Sequence, residues 1–262
     1  MVAMRIYLTI MLLGLSAMLL GACGDEGVPL LISSDETSEA DDYMPFTTQG
    51  FLLHWQAGDT IVFEDPGCGV LAGCDAGDDA AFQQGILDWQ EVLNSLGMAV
   101  SFITSGGNDV KVLWDDGTGV STGVLGFAAI NTTQDPSRRM VITTRSNANG
   151  FSNNSASLIR TIAVHEFGHM LGIWSHSWDS ADIMYPFATG LTTLSNRDKA
   201  TMVYLYGFTP DLNLSSLPNN TLGAPVSAPA ISLQDTYSAD PAVAGIQASY
   251  APGMVPINPD LP

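Results

Sequence analysis

Apolar residues recur at helical spacing in two stretches of the chain. From Asp78 onward, Phe82, Ile86, Trp89, Leu93 and Leu96 follow at three- or four-residue steps up to Gly97, the pattern of a helix that buries one stripe. Asp78 and Asp79 stand where the N-caps of that helix belong. A second helix opens near Ser155, and Leu158, Ile159, Ile162, Ala163, Phe167 and Met170 give it apolar cover on more than one side, which predicts a buried central helix. Short β-prone runs fill much of the rest. They are Phe51–Trp55 and Thr60–Glu64, then Val100–Thr104 and Val110–Trp114 joined through the turn-forming Gly106-Gly107-Asn108-Asp109, then Leu125–Ile130 and Met140–Thr144. His54 reads as a strand residue, and Arg138 and Arg139 as surface charges. Ser195-Asn196-Arg197-Asp198 is a capping-box pattern that opens a final helix through Met202, Val203 and Leu205 to Gly207.

The two ends of the chain follow neither period. Residues 1–22 carry Arg5 and then an apolar run from Ile6 to Leu20, a positive segment followed by a stretch too short to span a bilayer comfortably, which reads as a signal peptide. That run ends Leu20-Gly21-Ala22-Cys23, which resembles a bacterial lipobox and makes Cys23 the expected lipidation site. An ordinary cleaved signal or an uncleaved anchor is the alternative. Residues 23–49 are acidic, with no lysine or arginine, and read as a flexible tether. Residues 208–262 are rich in Pro, Ser, Ala and Asn, again without lysine or arginine, and read as an extended tail with no second domain. Residues 50–207 remain for the folded domain.

Charge and cysteines narrow the setting. The formal net charge of −19 becomes −20 once Arg5 is removed with the signal, and such a surface repels nucleic acid and anionic lipid alike. Membrane attachment therefore depends on acyl chains alone. With Cys23 assigned to lipid, Cys68 and Cys74 form an even pair, in an exported protein most simply a disulfide. The expectation is an exported, lipid-anchored monomer of the bacterial cell envelope, or a secreted one.

The chemistry concentrates in His165-Glu166-Phe167-Gly168-His169-Met170-Leu171-Gly172-Ile173-Trp174-Ser175-His176. Two histidines four residues apart project from one helical face, as two ligands of one metal ion require. Glu166 places a carboxylate beside that metal without joining it, the place of a general base. Gly172 suits the left-handed residue that ends a helix, and His176 follows the turn. Asp182-Ile183-Met184-Tyr185-Pro186 comes next. No glutamate follows Glu166, so a site whose third ligand is a downstream glutamate is ruled out.

This segment resembles the matrixin branch of the metzincins, zinc endopeptidases with a methionine turn, here at Met184. The resemblance is specific from His165 to Pro186 and extends over roughly Phe51–Gly207. One departure stands out: the family register for the third histidine falls on Ser175, and His176 comes one residue late. Because a serine hydroxyl is a poor zinc ligand, the reading is a one-residue insertion within Ile173-Trp174-Ser175. His176 is then the third ligand and Asp179 the reserve.

The resemblance implies an α+β fold with a twisted, mostly parallel five-stranded sheet, an antiparallel edge strand, an active-site helix, the methionine turn and a C-terminal helix. It makes Leu125–Ile130 the edge strand on which extended substrate adds by backbone hydrogen bonds. Phe187–Leu194 becomes the wall of the pocket for the residue just after the scissile bond, and Met184 an apolar floor beneath the histidines. It implies one catalytic Zn2+ on His165, His169 and His176, with protein or peptide as substrate. For Asp115–Gly123 it suggests Ca2+, whereas the composition of that loop favours a plain solvated turn. The functional expectation is a zinc-dependent endopeptidase with Glu166 as general base. The alternative is a catalytically weak or inactive zinc-bearing surface lipoprotein that binds peptides or proteins.

Overall fold

The computed structural model describes residues 52–120, 123–131, 137–146, 151–174, 176–217, 231–238 and 245–250. The expected signal segment, Cys23 and the acidic tether lie outside them. The strands are β1 (Leu53–His54), β2 (Thr60–Glu64), β3 (Ala99–Ile103), β4 (Val110–Asp115), β5 (Val124–Asn131), β6 (Ser137–Thr143), β7 (Arg145–Ser146), β8 (Ser152–Asn153), β9 (Leu212–Asn213), β10 (Ile231–Ser238) and β11 (Gly245–Tyr250). The helices are α1 (Asp78–Leu87), α2 (Gln90–Ser95), α3 (Ala156–Leu171) and α4 (Asn196–Leu205).

A mixed five-stranded sheet, ordered β3-β2-β4-β6-β5, forms the body of the fold. β2 runs parallel to β3 and β4, β4 runs parallel to β6, and only β5 is antiparallel to its neighbour. The turn after β3 carries the chain across β2, not back beside β3. Asp109 holds that crossing, its carboxylate accepting from the Val62 amide at 2.8 Å while its own amide donates to the Val62 carbonyl at 2.9 Å. Alternate residues Ile61 and Phe63, Val110 and Val112, Met140 and Ile142 are all buried, as period-two strands with one face on a core require. Beyond β5 the sheet continues into β10 and β11, both antiparallel to their neighbours. Within residues 208–262, Ile231–Ser238 and Gly245–Tyr250 are thus paired strands of this sheet.

Several local expectations need correction. The stripe Phe82, Ile86, Trp89, Leu93 and Leu96 is buried, but the helix breaks at Asp88-Trp89 into α1 and α2. Both residues at the break are tied to α3. Trp89 donates its indole N–H to the Val164 carbonyl at 2.9 Å, and Asp88 takes a bidentate pair from Arg160 at 2.6 and 2.7 Å. Nor are Asp78 and Asp79 N-caps, since Gly77, in a left-handed conformation with φ 108°, holds that position. Their carboxylates instead accept from the Asp75 and Cys68 amides and pin the preceding loop. Cys68 and Cys74 close that loop as a disulfide.

Arg138 is not a surface charge: it is 2% exposed. It donates to the Asp109 and Leu214 carbonyls and lies 5.2 Å over the Trp55 ring. Burial pulls it down to about 10, so it stays charged at neutral pH and joins β6 to the chain beyond α4. β1, from the first of the β-prone runs, stands apart from the main sheet and pairs in parallel with β9 in a separate two-stranded sheet. Among the described residues no helix is long and apolar enough to cross a membrane.

Candidate metal centre and active site

The site is built on α3. Ser155 caps its start, accepting from the Leu158 amide at 3.2 Å, a contact worth about 1 kcal/mol. Gly172 ends it with φ 122°. A side chain there would be strained, and its Cβ would also lie 2.6 Å from the Leu53 carbonyl oxygen, so glycine is required on two counts. His165, Glu166 and His169 are all completely buried.

His165, His169 and His176 meet, with one ring nitrogen of each within 4.8 Å of the others. The His176 ring lies 5.3 Å from that of His165, nearly parallel, and 5.2 Å from that of His169, edge-on. His165 Nε2 and His169 Nε2 are 3.1 Å apart. Tetrahedral bonds of about 2.0–2.1 Å to zinc require roughly 3.3 Å between ligand nitrogens, so this pair is spaced to share one ion. Asp179, the reserve ligand, lies outside the group: it is half exposed and pairs with Arg197 at 3.2 Å.

Backbone carbonyls fix the tautomers. His165 Nδ1 lies 2.7 Å from the Ile183 oxygen and His169 Nδ1 lies 2.5 Å from the Ile173 oxygen. A carbonyl only accepts, so each Nδ1 carries the proton and each Nε2 presents a lone pair toward the shared point. Three imidazole nitrogens are a donor set that suits zinc.

A polar clamp holds the turn that supplies Ile183. Asp198 accepts from the amides of Ile183 at 2.9 Å, Met184 at 3.4 Å and Ser195 at 2.8 Å. Asp182 takes hydrogen bonds from the hydroxyls of Ser177 and Ser195 and an ion pair from Arg197. The Ser177 amide donates to the Met184 carbonyl at 2.9 Å, so the segment after His176 and the methionine turn are stitched into one unit. In the sequence Ser195, Arg197 and Asp198 show only as a helix-opening capping box and Asp182 only as the start of the Met184 segment; that they join in one clamp depends on contacts no local pattern signals. Met184 is buried, and a Cβ at Gly168 would collide with its sulfur. Tyr185 packs edge-on against Phe187 at 5.4 Å.

Residues 78–207 match the Matrixin family. The chain contains a matrixin-like metzincin domain. Metalloendoproteinase 2-MMP of Arabidopsis thaliana is 41% identical over 66 residues, a match spanning 24% of this chain and 17% of that protein. The solved structure of myroilysin aligns with a TM-score of 0.39 at 16% identity, covering 58% of this chain and 82% of that one.

In this metzincin domain β5 passes directly over the active-site helix. A Cβ on Gly126 would lie 2.5 Å from Ile162 Cγ2, 2.8 Å from the Val141 oxygen and 3.5 Å from Glu166 Oε1. The strand thus approaches the helix at Glu166 as closely as a residue without a side chain allows. The Asp115–Gly123 segment lies between β4 and β5 in the chain. There Asp115 accepts from the Gly117 and Gly119 amides, and Asp116 from Thr118, while Asp116 faces Arg145 at 3.5 Å. The Thr118 hydroxyl and amide hold the Asp116 carboxyl below its usual range.

Proposed function

We propose that the domain is a zinc-dependent endopeptidase, with His165, His169 and His176 as zinc ligands and Glu166 as general base. The observation that carries this reading is the convergence of three imidazoles on one point, two with tautomers set by carbonyls, on the helix that also bears the buried Glu166. The family match and the partial relative named as a metalloendoproteinase support it. Zinc, when bound, supplies Lewis-acid polarisation of water and of a peptide carbonyl. Glu166 takes the water proton on a carboxylate oxygen as the new C–O bond forms, and returns it to the departing amine nitrogen as the C–N bond breaks. Ile183 and Ile173 keep His165 and His169 oriented throughout.

The test combines metal content with hydrolysis of an unfolded protein. Glu166→Gln should keep one zinc per chain and lose cleavage by at least about 100-fold, the lower end of what a positioned acid–base group contributes. Full activity in that variant refutes the role. His176→Ala should lose zinc and Asp179→Ala should keep it; the reverse result moves the third ligand to Asp179.

Independently of the chemistry, we propose that the protein is an exported lipoprotein, a reading supported by the lipobox-like Leu20-Gly21-Ala22-Cys23. Incorporation of a palmitate analogue, abolished in Cys23→Ala, is the result expected.

A further inference from the structure

β5 has two edges. One pairs with β6, leaving the other as the row of N–H and C=O groups on which an extended peptide would have to add to reach Glu166. That row is taken. β10 runs antiparallel along it, with Ser232 opposite Asn131, Leu233 opposite Ile130, Gln234 opposite Ala129, and so on to Tyr237 opposite Gly126. Gly126 is the residue whose Cβ position lies 3.5 Å from Glu166 Oε1, so Tyr237 pairs with the β5 residue that lies against the proposed base. The register then shifts, and Ser238 pairs with Val124. β10 also comes within 8 Å of α3, Cα to Cα. On its outer side it is held by β11, from Ile231 opposite Tyr250 to Thr236 opposite Gly245.

We propose that β10 is a built-in occupant of the substrate edge, so that the chain restrains its own active site in cis. This rests on the peptidase reading above. A peptide and β10 need the same backbone groups of β5, and both cannot hold them. Because β10 belongs to the same chain, its effective concentration at that edge is on the order of millimolar, above that of most single protein substrates. Substrate then binds only the fraction of molecules in which β10 has left, and its apparent affinity falls by that fraction. The restraint therefore acts on KM and leaves kcat nearly unchanged.

The experiment uses the full-length, zinc-loaded chain and its D235P/T236P double variant. Neighbouring strand residues aim their N–H groups at opposite sides, so one proline removes a bond to β5 and the other a bond to β11. Amide hydrogen exchange along β5 should be slow in the wild type and faster in the variant. β6 should stay protected in both, which shows that the domain is folded. A labelled peptide of the sequence of residues 231–238 should bind the variant and not the wild type. For hydrolysis of an unrelated peptide, kcat/KM should rise about tenfold or more, carried by KM.

Rapid exchange of β5 in the wild type, or equal binding of the labelled peptide to both proteins, overturns the occupancy. Restored exchange with unchanged kcat/KM overturns the restraint. If neither protein cleaves any peptide while the exchange and binding differences hold, the peptidase reading falls and β10 stands as occupant of a peptide-binding edge.

Discussion

His54 and His165 are both buried, and both place Nδ1 against a backbone carbonyl oxygen, yet they serve opposite ends. His54 Nδ1 lies 2.7 Å from the Trp55 oxygen and its Nε2 lies 3.1 Å from the Phe208 oxygen. Both nitrogens face main chain, so the ring straps the first strand to the segment after α4, with Tyr206 packed 4.5 Å away. His165 sets Nδ1 on the Ile183 carbonyl and turns Nε2 toward His169. Burial does not separate a structural histidine from a metal-binding one. What the second nitrogen faces does.

The sharpest way to break this contrast is to measure zinc in His165→Ala and His54→Ala. The first should lose more than about 100-fold in zinc affinity, beyond the 10- to 100-fold that outer partners of a ligand typically contribute. The second should keep its zinc and lose about 1–3 kcal/mol of stability in denaturant unfolding, the cost of leaving a buried carbonyl unsatisfied. Zinc lost equally from both would erase the distinction.

The clamp behind His165 comes next. Arg197→Ala leaves the Asp182 carboxylate, 2% exposed, without its cation, and should cost about 3 kcal/mol, read as a lower unfolding midpoint. Asp182→Asn in the same background should recover part of that loss. Smaller again is Gly168→Ala, whose methyl group meets the Met184 sulfur and lies 3.1 Å from the Trp89 ring. Overpacking there should cost about 1–3 kcal/mol, and unchanged stability would mean that the methionine turn yields easily.

The smallest effect is the pH dependence carried by His54. Burial, the largest influence on it, lowers its pKa from the ordinary 6.5. The unfolded chain therefore takes up this proton at a higher pH than the folded one. Its contribution is complete above about pH 6.5 and declines as pH falls below that value, toward the lower pKa of the folded state. Unfolding of the zinc-loaded protein between pH 7.5 and 5 should show a shallower acid loss in His54→Gln than in the wild type.

What the sequence revealed and what it hid divide along physical lines. α3 was legible from Ser155 to Gly172 because a cap, a glycine stop and an apolar run are local signals. The histidine pair was legible because four residues make one turn. His176 was reachable by ligand chemistry in spite of its shifted register, and the structure brings it to the other two. The break at Asp88-Trp89 was hidden, since it depends on bonds to Arg160 and Val164 far along the chain. Arg138 looked like a surface residue because nothing local shows that Asp109 and Leu214 will surround it. β10 was hidden most completely. Ile231–Ser238 has a strand-like composition, but its partner is chosen by an edge that exists only once the sheet has formed.

Trp174 gives the site an optical signature. Its indole is 1% exposed and stacks 5.7 Å from the His169 ring, 25° from parallel, so only that imidazole need separate it from what the site holds. Replacing zinc by cobalt(II), which absorbs visible light and quenches nearby excited indoles, turns occupancy of the metal site into a loss of ultraviolet emission. Trp174→Phe marks how much of that signal comes from this one ring.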